Sequence, residues 1–100
     1  MDLNSMYPDR SPQTASRVID NEAVIISPQE NKVMVLNGTG SRIWELLNGD
    51  LRTDRIALVI SEEFDVSYDD ALNDTREFIN DLYARDMLIY LEHPKEEALT

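Results

Sequence analysis

The side chains able to do chemistry are few: one histidine, no cysteine, and 20 acids set against 9 bases. Without cysteine, disulfides, thiolate metal sites and thiol nucleophiles are excluded. His93 sits in a charged C-terminal stretch and is followed by Pro94. With no second histidine to share a metal or polarise a nucleophile, it reads as a surface residue. The acidic run Asp65–Asp74 invites a calcium reading. It lacks the D-x-[DN]-x-[DN]-G order, the central glycine and the closing glutamate, so acids at a helix N-terminus explain it better. Two carboxylates do acid–base work only if their surroundings separate their pKa values, and nothing marks such a pair. Asn37-Gly38-Thr39-Gly40-Ser41-Arg42 superficially resembles a phosphate loop. It has neither G-x-x-x-x-G-K-[ST] nor G-x-G-x-x-G, and a strand-to-helix turn accounts for it. The expectation is a protein without catalysis, metal or cofactor of its own.

The elements that would position a site follow from periodicity. Residues 1–15 hold two prolines and no apolar period, and residues 92–100 are charged and unpatterned. Both stretches are expected to be flexible tails around one domain at 16–91. Arg17–Asp20, Glu22–Ser27 and Lys32–Leu36 are short and rich in valine and isoleucine. Asp20-Asn21 and Pro28–Asn31 are the turns between them, which predicts a three-stranded antiparallel meander.

The period then changes to that of helices. Asn37 or Thr39 caps a first helix carrying Ile43, Trp44, Leu46 and Leu47, and Gly49 suits its left-handed end. Thr53 is the expected cap of a second helix, with Ile56, Val59, Ile60 and Phe64 on one face. Ser67 caps a third, running to about Asp86, with a stripe of Ala71, Leu72, Thr75, Phe78, Ile79, Leu82 and Tyr83. Met87–Leu91 continues as an extended apolar segment. The fold class is α+β: a three-stranded antiparallel sheet followed by a three-helix, winged-helix-like core.

Charge then selects among partners. The net charge of −11 opposes nucleic acid and anionic membrane surfaces alike. In a helix-turn-helix reading the recognition helix would carry Asp69, Asp70, Asp74, Glu77, Asp81 and Asp86 against Arg76 and Arg85, the wrong sign for a major groove. With no signal-peptide pattern and no apolar run near 20 residues, a cytoplasmic protein is expected. Protein binding is what remains. Lys32–Leu36 is apolar on both faces; the chain's own helices and tail, or a partner, must cover the second face, and pattern alone leaves both open. Such a strand beside a helix can accept an added strand from a peptide.

Val35-Leu36-Asn37-Gly38-Thr39-Gly40-Ser41-Arg42-Ile43-Trp44-Glu45-Leu46-Leu47-Asn48-Gly49 resembles the strand, Leu-Asn, Ile-Trp-Glu-Leu-Leu-x-Gly signature of PqqD-like proteins. Asp74–Leu82 resembles that family's Asp-Val-x-x-Phe-Leu-x-x-Leu helix, with Thr75 where a larger aliphatic is usual. Met87-Leu88-Ile89 resembles its closing Gly-Leu-Leu/Ile run, with the glycine replaced. The resemblance runs from Arg17 to Leu91. It implies a recognition element that binds the leader of a ribosomally synthesised precursor peptide. That element presents the peptide to a modifying enzyme, often a radical S-adenosylmethionine protein; in the founding pathway the product is pyrroloquinoline quinone. In the family the leader adds to the third strand, against the third helix. Carried over, the peptide-binding residues are Lys32, Val33, Met34, Val35 and Leu36 on the strand and Arg76, Ile79, Asn80 and Tyr83 on the helix. Phe78, Leu82 and Trp44 are assigned to the core. The alternative is an interaction or regulatory domain that dimerises through the same edge; the chain is expected to be a monomer or weak homodimer.

Overall fold

The computed structural model describes residues 3–20, 22–27 and 31–96. After a 3₁₀ turn at Leu3–Ser5 come β1 (Tyr7–Arg10), β2 (Ala15–Ile19), β3 (Glu22–Ser27) and β4 (Lys32–Val35). Then follow α1 (Gly38–Leu46), α2 (Thr53–Glu63), α3 (Tyr68–Ala84) and β5 (Leu88–Leu91). The α+β class and the antiparallel meander β2-β3-β4 match the expectation. Asp20 and Asn31 take positive φ (51° and 53°), a conformation Asp and Asn tolerate through local hydrogen bonds. Of the expected turns, Asn21 and residues 28–30 lie outside the described residues.

The sheet is buried on one face only. In β3, Ala23, Ile25 and Ser27 point inward, while Val24 is half-buried and Ile26 exposed on the other side. Against the inner face lies the helical layer, with α1 on β3 and α2 beside α3. Trp44, Leu47, Ile56, Ile60 and Leu82 form the fully buried centre. Each such side chain contributes about 1.5–3 kcal/mol by leaving water.

The helix ends show how local chemistry sets boundaries. Asn37 caps α1, its side chain accepting from the Gly40 N–H at 2.8 Å. Ser67 caps α3, accepting from Asp70 N–H at 3.2 Å. Thr53 does not cap α2: the cap is Arg52, which makes no side-chain bond, and Thr53 is the first helical residue, buried. Phe64 is likewise not on the core face; it is the C-cap of α2 and 40% exposed. Beyond α3, Asp86 turns left-handed (φ 59°), and Met87 N–H donates back to Leu82 C=O at 2.9 Å. That closes the helix and sends the chain into β5.

The two expected tails differ most from expectation. Tyr7–Arg10 forms a second, two-stranded sheet with β5, in the register Tyr7↔Leu91 to Arg10↔Leu88. Met6, Pro8, Asp9 and Ser11 are buried there. The C-terminal stretch docks as well: Lys95 N–H donates to Gly49 C=O at 2.9 Å and Glu96 N–H to the Asp50 carboxylate at 2.7 Å. Residues 97–100 lie outside the described residues. Among the described residues no helix is long and apolar enough to cross a membrane.

Candidate functional site

A strand at the rim of a sheet keeps half of its peptide groups unused, and β4 is such a strand. In the order β2-β3-β4 it has β3 on one side and, among the described residues, no strand on the other. The phase of its hydrogen bonds is fixed at its end, where Leu36 N–H donates to Ala23 C=O at 2.9 Å. Antiparallel pairs alternate between bonded and non-bonded. Met34–Ile25 and Lys32–Ser27 are therefore the bonded pairs of the register, and Val33 and Val35 turn their N–H and C=O groups to the open side. The side chains alternate the other way. Met34 points into the core layer, while Val33 and Val35 are 65% and 61% exposed on the outer face. The question that pattern left open is thus answered unevenly: the chain's own helices cover one face and leave the other bare.

Ser41 holds this edge in place. Its buried hydroxyl accepts from Ala23 N–H at 2.7 Å and donates to Leu36 C=O at 3.2 Å. One side chain of α1 thereby ties β3 to the end of β4.

Beside that end lies a cavity of about 450 Å³. Val35, Leu36, Asn37, Thr39, Gly40 and Ile43 line one side; Asp74 and Phe78 of α3 line the other. Gly40 makes the close approach possible. A Cβ there would lie 3.2 Å from Asn37 Oδ1 and 3.7 Å from Phe78 Cζ, so a methyl would crowd the cap and fill the floor.

The phase of α3 decides which residues reach this groove. Ala71, Thr75, Ile79 and Leu82 are its buried face. Asp74 and Phe78 flank that face on the β4 side. Asp70, Asp74, Glu77 and Asp81 recur at helical spacing and so form one stripe, of which Asp74 lines the groove. Arg76 lies roughly 200° around the helix from Asp74.

The expected site residues are therefore divided. Lys32, Val33, Met34 and Val35 form the open-edged strand as anticipated, and Leu36 follows it with its side chain buried. Ile79 is in the core at 1% exposure rather than on a binding face. Arg76, Asn80 and Tyr83 are exposed but do not line the groove. Tyr83 instead packs edge-on against Tyr90 of β5, ring centroids 5.0 Å apart. Burial, and secondarily the neighbouring Tyr83, raises the Tyr90 hydroxyl above the usual tyrosine range. Trp44 and Leu82 are core, as expected, whereas Phe78 is half-buried in the groove wall. Asp74 and Phe78 are the groove residues that sequence reasoning missed. Their signal was helical phase, readable only once the centre of the buried face was known.

No group of three or more His, Asp or Glu among the described residues is arranged to hold a metal. The bare outer face of the sheet carries Ile19, Ile26, Val33 and Val35. The arrangement offers peptide hydrogen bonding along an edge and, beside its end, a recess holding Leu36, Ile43 and Phe78 with the Asp74 carboxylate at its margin.

The fold has known counterparts. A family model described as coenzyme PQQ synthesis protein D (PqqD) matches residues 22–88. The chain is similar to TbiB1, solved in complex with the TbiA(beta) leader peptide: 31% identity, TM-score 0.74, covering 80% of this chain and 93% of that one. It also shares the fold of a lasso peptide synthetase B1 complexed with the leader peptide, at 19% identity and TM-score 0.74, covering 83% of this chain and 98% of that one. No curated protein matches the chain by sequence.

Proposed function

The chain belongs to the family of coenzyme PQQ synthesis protein D, and on that premise we propose that it is a non-catalytic adaptor for the leader segment of a ribosomal precursor peptide. The leader adds as a strand to the open side of β4 and is handed to a modifying enzyme. Radical S-adenosylmethionine proteins are the class of enzyme that the family resemblance suggests.

The observation that carries this reading is the edge itself. Val33 and Val35 direct their peptide groups outward beside a recess walled by Phe78 and Asp74. The leader complex of TbiB1, a relative at 31% identity, supports the same reading. An added strand makes its main-chain bonds to Val33 and Val35, with Lys32 and Met34 setting register and Leu36 closing the recess. Side chains on its inner face reach Phe78 and Asp74. Delivery needs only modest affinity. A micromolar dissociation constant, about −8 kcal/mol, raises the local concentration of precursor at a tethered enzyme.

The test is an NMR titration of the isotope-labelled chain with leader peptides of precursors encoded beside its gene. Shifts should concentrate at Val33, Val35, Asp74 and Phe78, with Asn80 and Arg76 little affected. No shift with any such peptide, from a folded chain, would overturn the adaptor reading. If mass by light scattering then rose with concentration, the edge would be pairing with a second copy instead.

A further inference from the structure

The stripe Asp70, Asp74, Glu77, Asp81 calls for a physical account that its own helix does not supply. Acids in the first turn of a helix are favoured by the dipole, which covers Asp69 and Asp70. The effect fades within one turn, so it does not cover Asp74, Glu77 or Asp81. Like charges three or four residues apart on a helix repel. Asp70–Asp74, Asp74–Glu77 and Glu77–Asp81 are three such pairs in a row. Among the described residues only Asp81 has a cation, Arg85 at 3.2 Å. Arg76, the one base in the middle of α3, is turned to the far flank. The repulsion is left standing beside a recess that Asp74 itself lines, opposite Leu36, Ile43 and Val35.

Resting on the adaptor reading above, we infer that this groove selects a leader segment in which an apolar side chain and a lysine or arginine share one face of the added strand, two positions apart. The geometry sets the spacing. Side chains on one face of a strand recur every second residue, about 6.6 Å along it. The apolar side chain enters the recess against Phe78, Leu36 and Ile43. The base on the same face reaches Asp74 at the rim, with Glu77 one turn on beyond it, and its charge relieves the repulsion between them. Complementary charge of this kind sets register and speeds encounter more than it adds raw affinity. The specificity is therefore for a pattern, apolar-x-basic or its reverse, rather than for net positive charge.

The experiment uses the whole chain and a displayed library of random dodecapeptides, selected in parallel on the unchanged chain and on the double variant Asp74→Asn, Glu77→Gln. Both substitutions are at exposed positions and keep side-chain shape, and far-UV circular dichroism checks the fold. On the unchanged chain, selected peptides should be enriched in lysine or arginine two positions from an apolar residue. On the variant, the apolar enrichment should persist while the basic one disappears. A peptide carrying the pattern should bind the variant on the order of 5–10-fold more weakly at low salt, a difference that shrinks as salt rises. Apolar enrichment without the basic partner would overturn this inference and leave the adaptor reading intact. So would a basic preference that survives the double substitution. Selected peptides that bind a folded Val35→Pro variant undiminished would overturn the strand-addition reading itself, and the inference with it. A library yielding no binder would count against both.

Discussion

Ser41 illustrates how much one hydroxyl decides at the residue scale. Ala23 N–H and Leu36 C=O sit in the core layer at the end of β4, and both are bonded to Ser41 Oγ. Ser41→Ala leaves Ala23 N–H without that acceptor, in a place water does not reach. The expected cost is about 1–3 kcal/mol of stability, measured by urea unfolding. The sequence made Ser41 part of a polar turn, Asn37–Arg42, and gave no hint of a buried bond across 18 residues to Ala23. Phe78 and Ile79 teach the companion lesson. Both are apolar neighbours on one helix, and the stripe contained both. Only the packing of α3 against α2 reveals which of the two is swallowed and which is left to line a groove. Arg76, Asn80 and Tyr83 lie on the other flank of α3 from Asp74, a difference of helix phase that pattern alone does not resolve.

The strands and helices themselves were largely legible, because periods of 2 and 3.6 residues do not depend on distant partners. β3 runs over Glu22–Ser27 as read, and the caps Asn37 and Ser67 fall where their side chains can reach the third N–H. Hydrogen-bond phase was not legible. Proline at Met34 and proline at Val35 look equivalent from pattern, yet they act on opposite sides of β4. Met34 belongs to a pair bonded to Ile25, so Met34→Pro removes a bond of the sheet itself. Val35 turns its N–H outward, so Val35→Pro takes away a donor offered to the partner and spares β3. The expected result is a clear loss of thermal stability for Met34→Pro. For Val35→Pro the fold should be near normal and leader binding lost. Circular dichroism melts and calorimetric titration with a binding leader separate the two. Equal unfolding by both variants would mean the phase assigned here is wrong.

At the scale of the whole molecule, the surprise is the closure of both chain ends over the α1–α2 connection. Tyr7-Pro8-Asp9-Arg10 has no apolar period, so its strand exists only through what it meets: β5 along one side and Leu47–Gly49 at the other. No local reading finds such a strand. Its hinge is Gly49, at φ +80°, where a Cβ would lie 3.0 Å from Leu91 and 3.1 Å from Lys95. Gly49 N–H donates to Pro8 C=O at 3.1 Å, its C=O accepts from Lys95 N–H, and Lys95 Nζ reaches the buried Asp9 carboxylate at 3.3 Å. Gly49→Ala combines a positive φ with a crowded site. It should cost about 1–3 kcal/mol and loosen the first and last strands together, read as faster amide exchange in β1 and β5 than in β3. The same closure has an engineering consequence. Tyr7 and Leu91 are paired across the small sheet, so the first and last strands of the fold lie side by side, about 5 Å apart at that pair. None of the groove residues belongs to β1 or β5. A domain whose first and last strands are neighbours in this way can be spliced into a surface loop of a host protein like a cassette. The host would then carry the recognition groove as a built-in module.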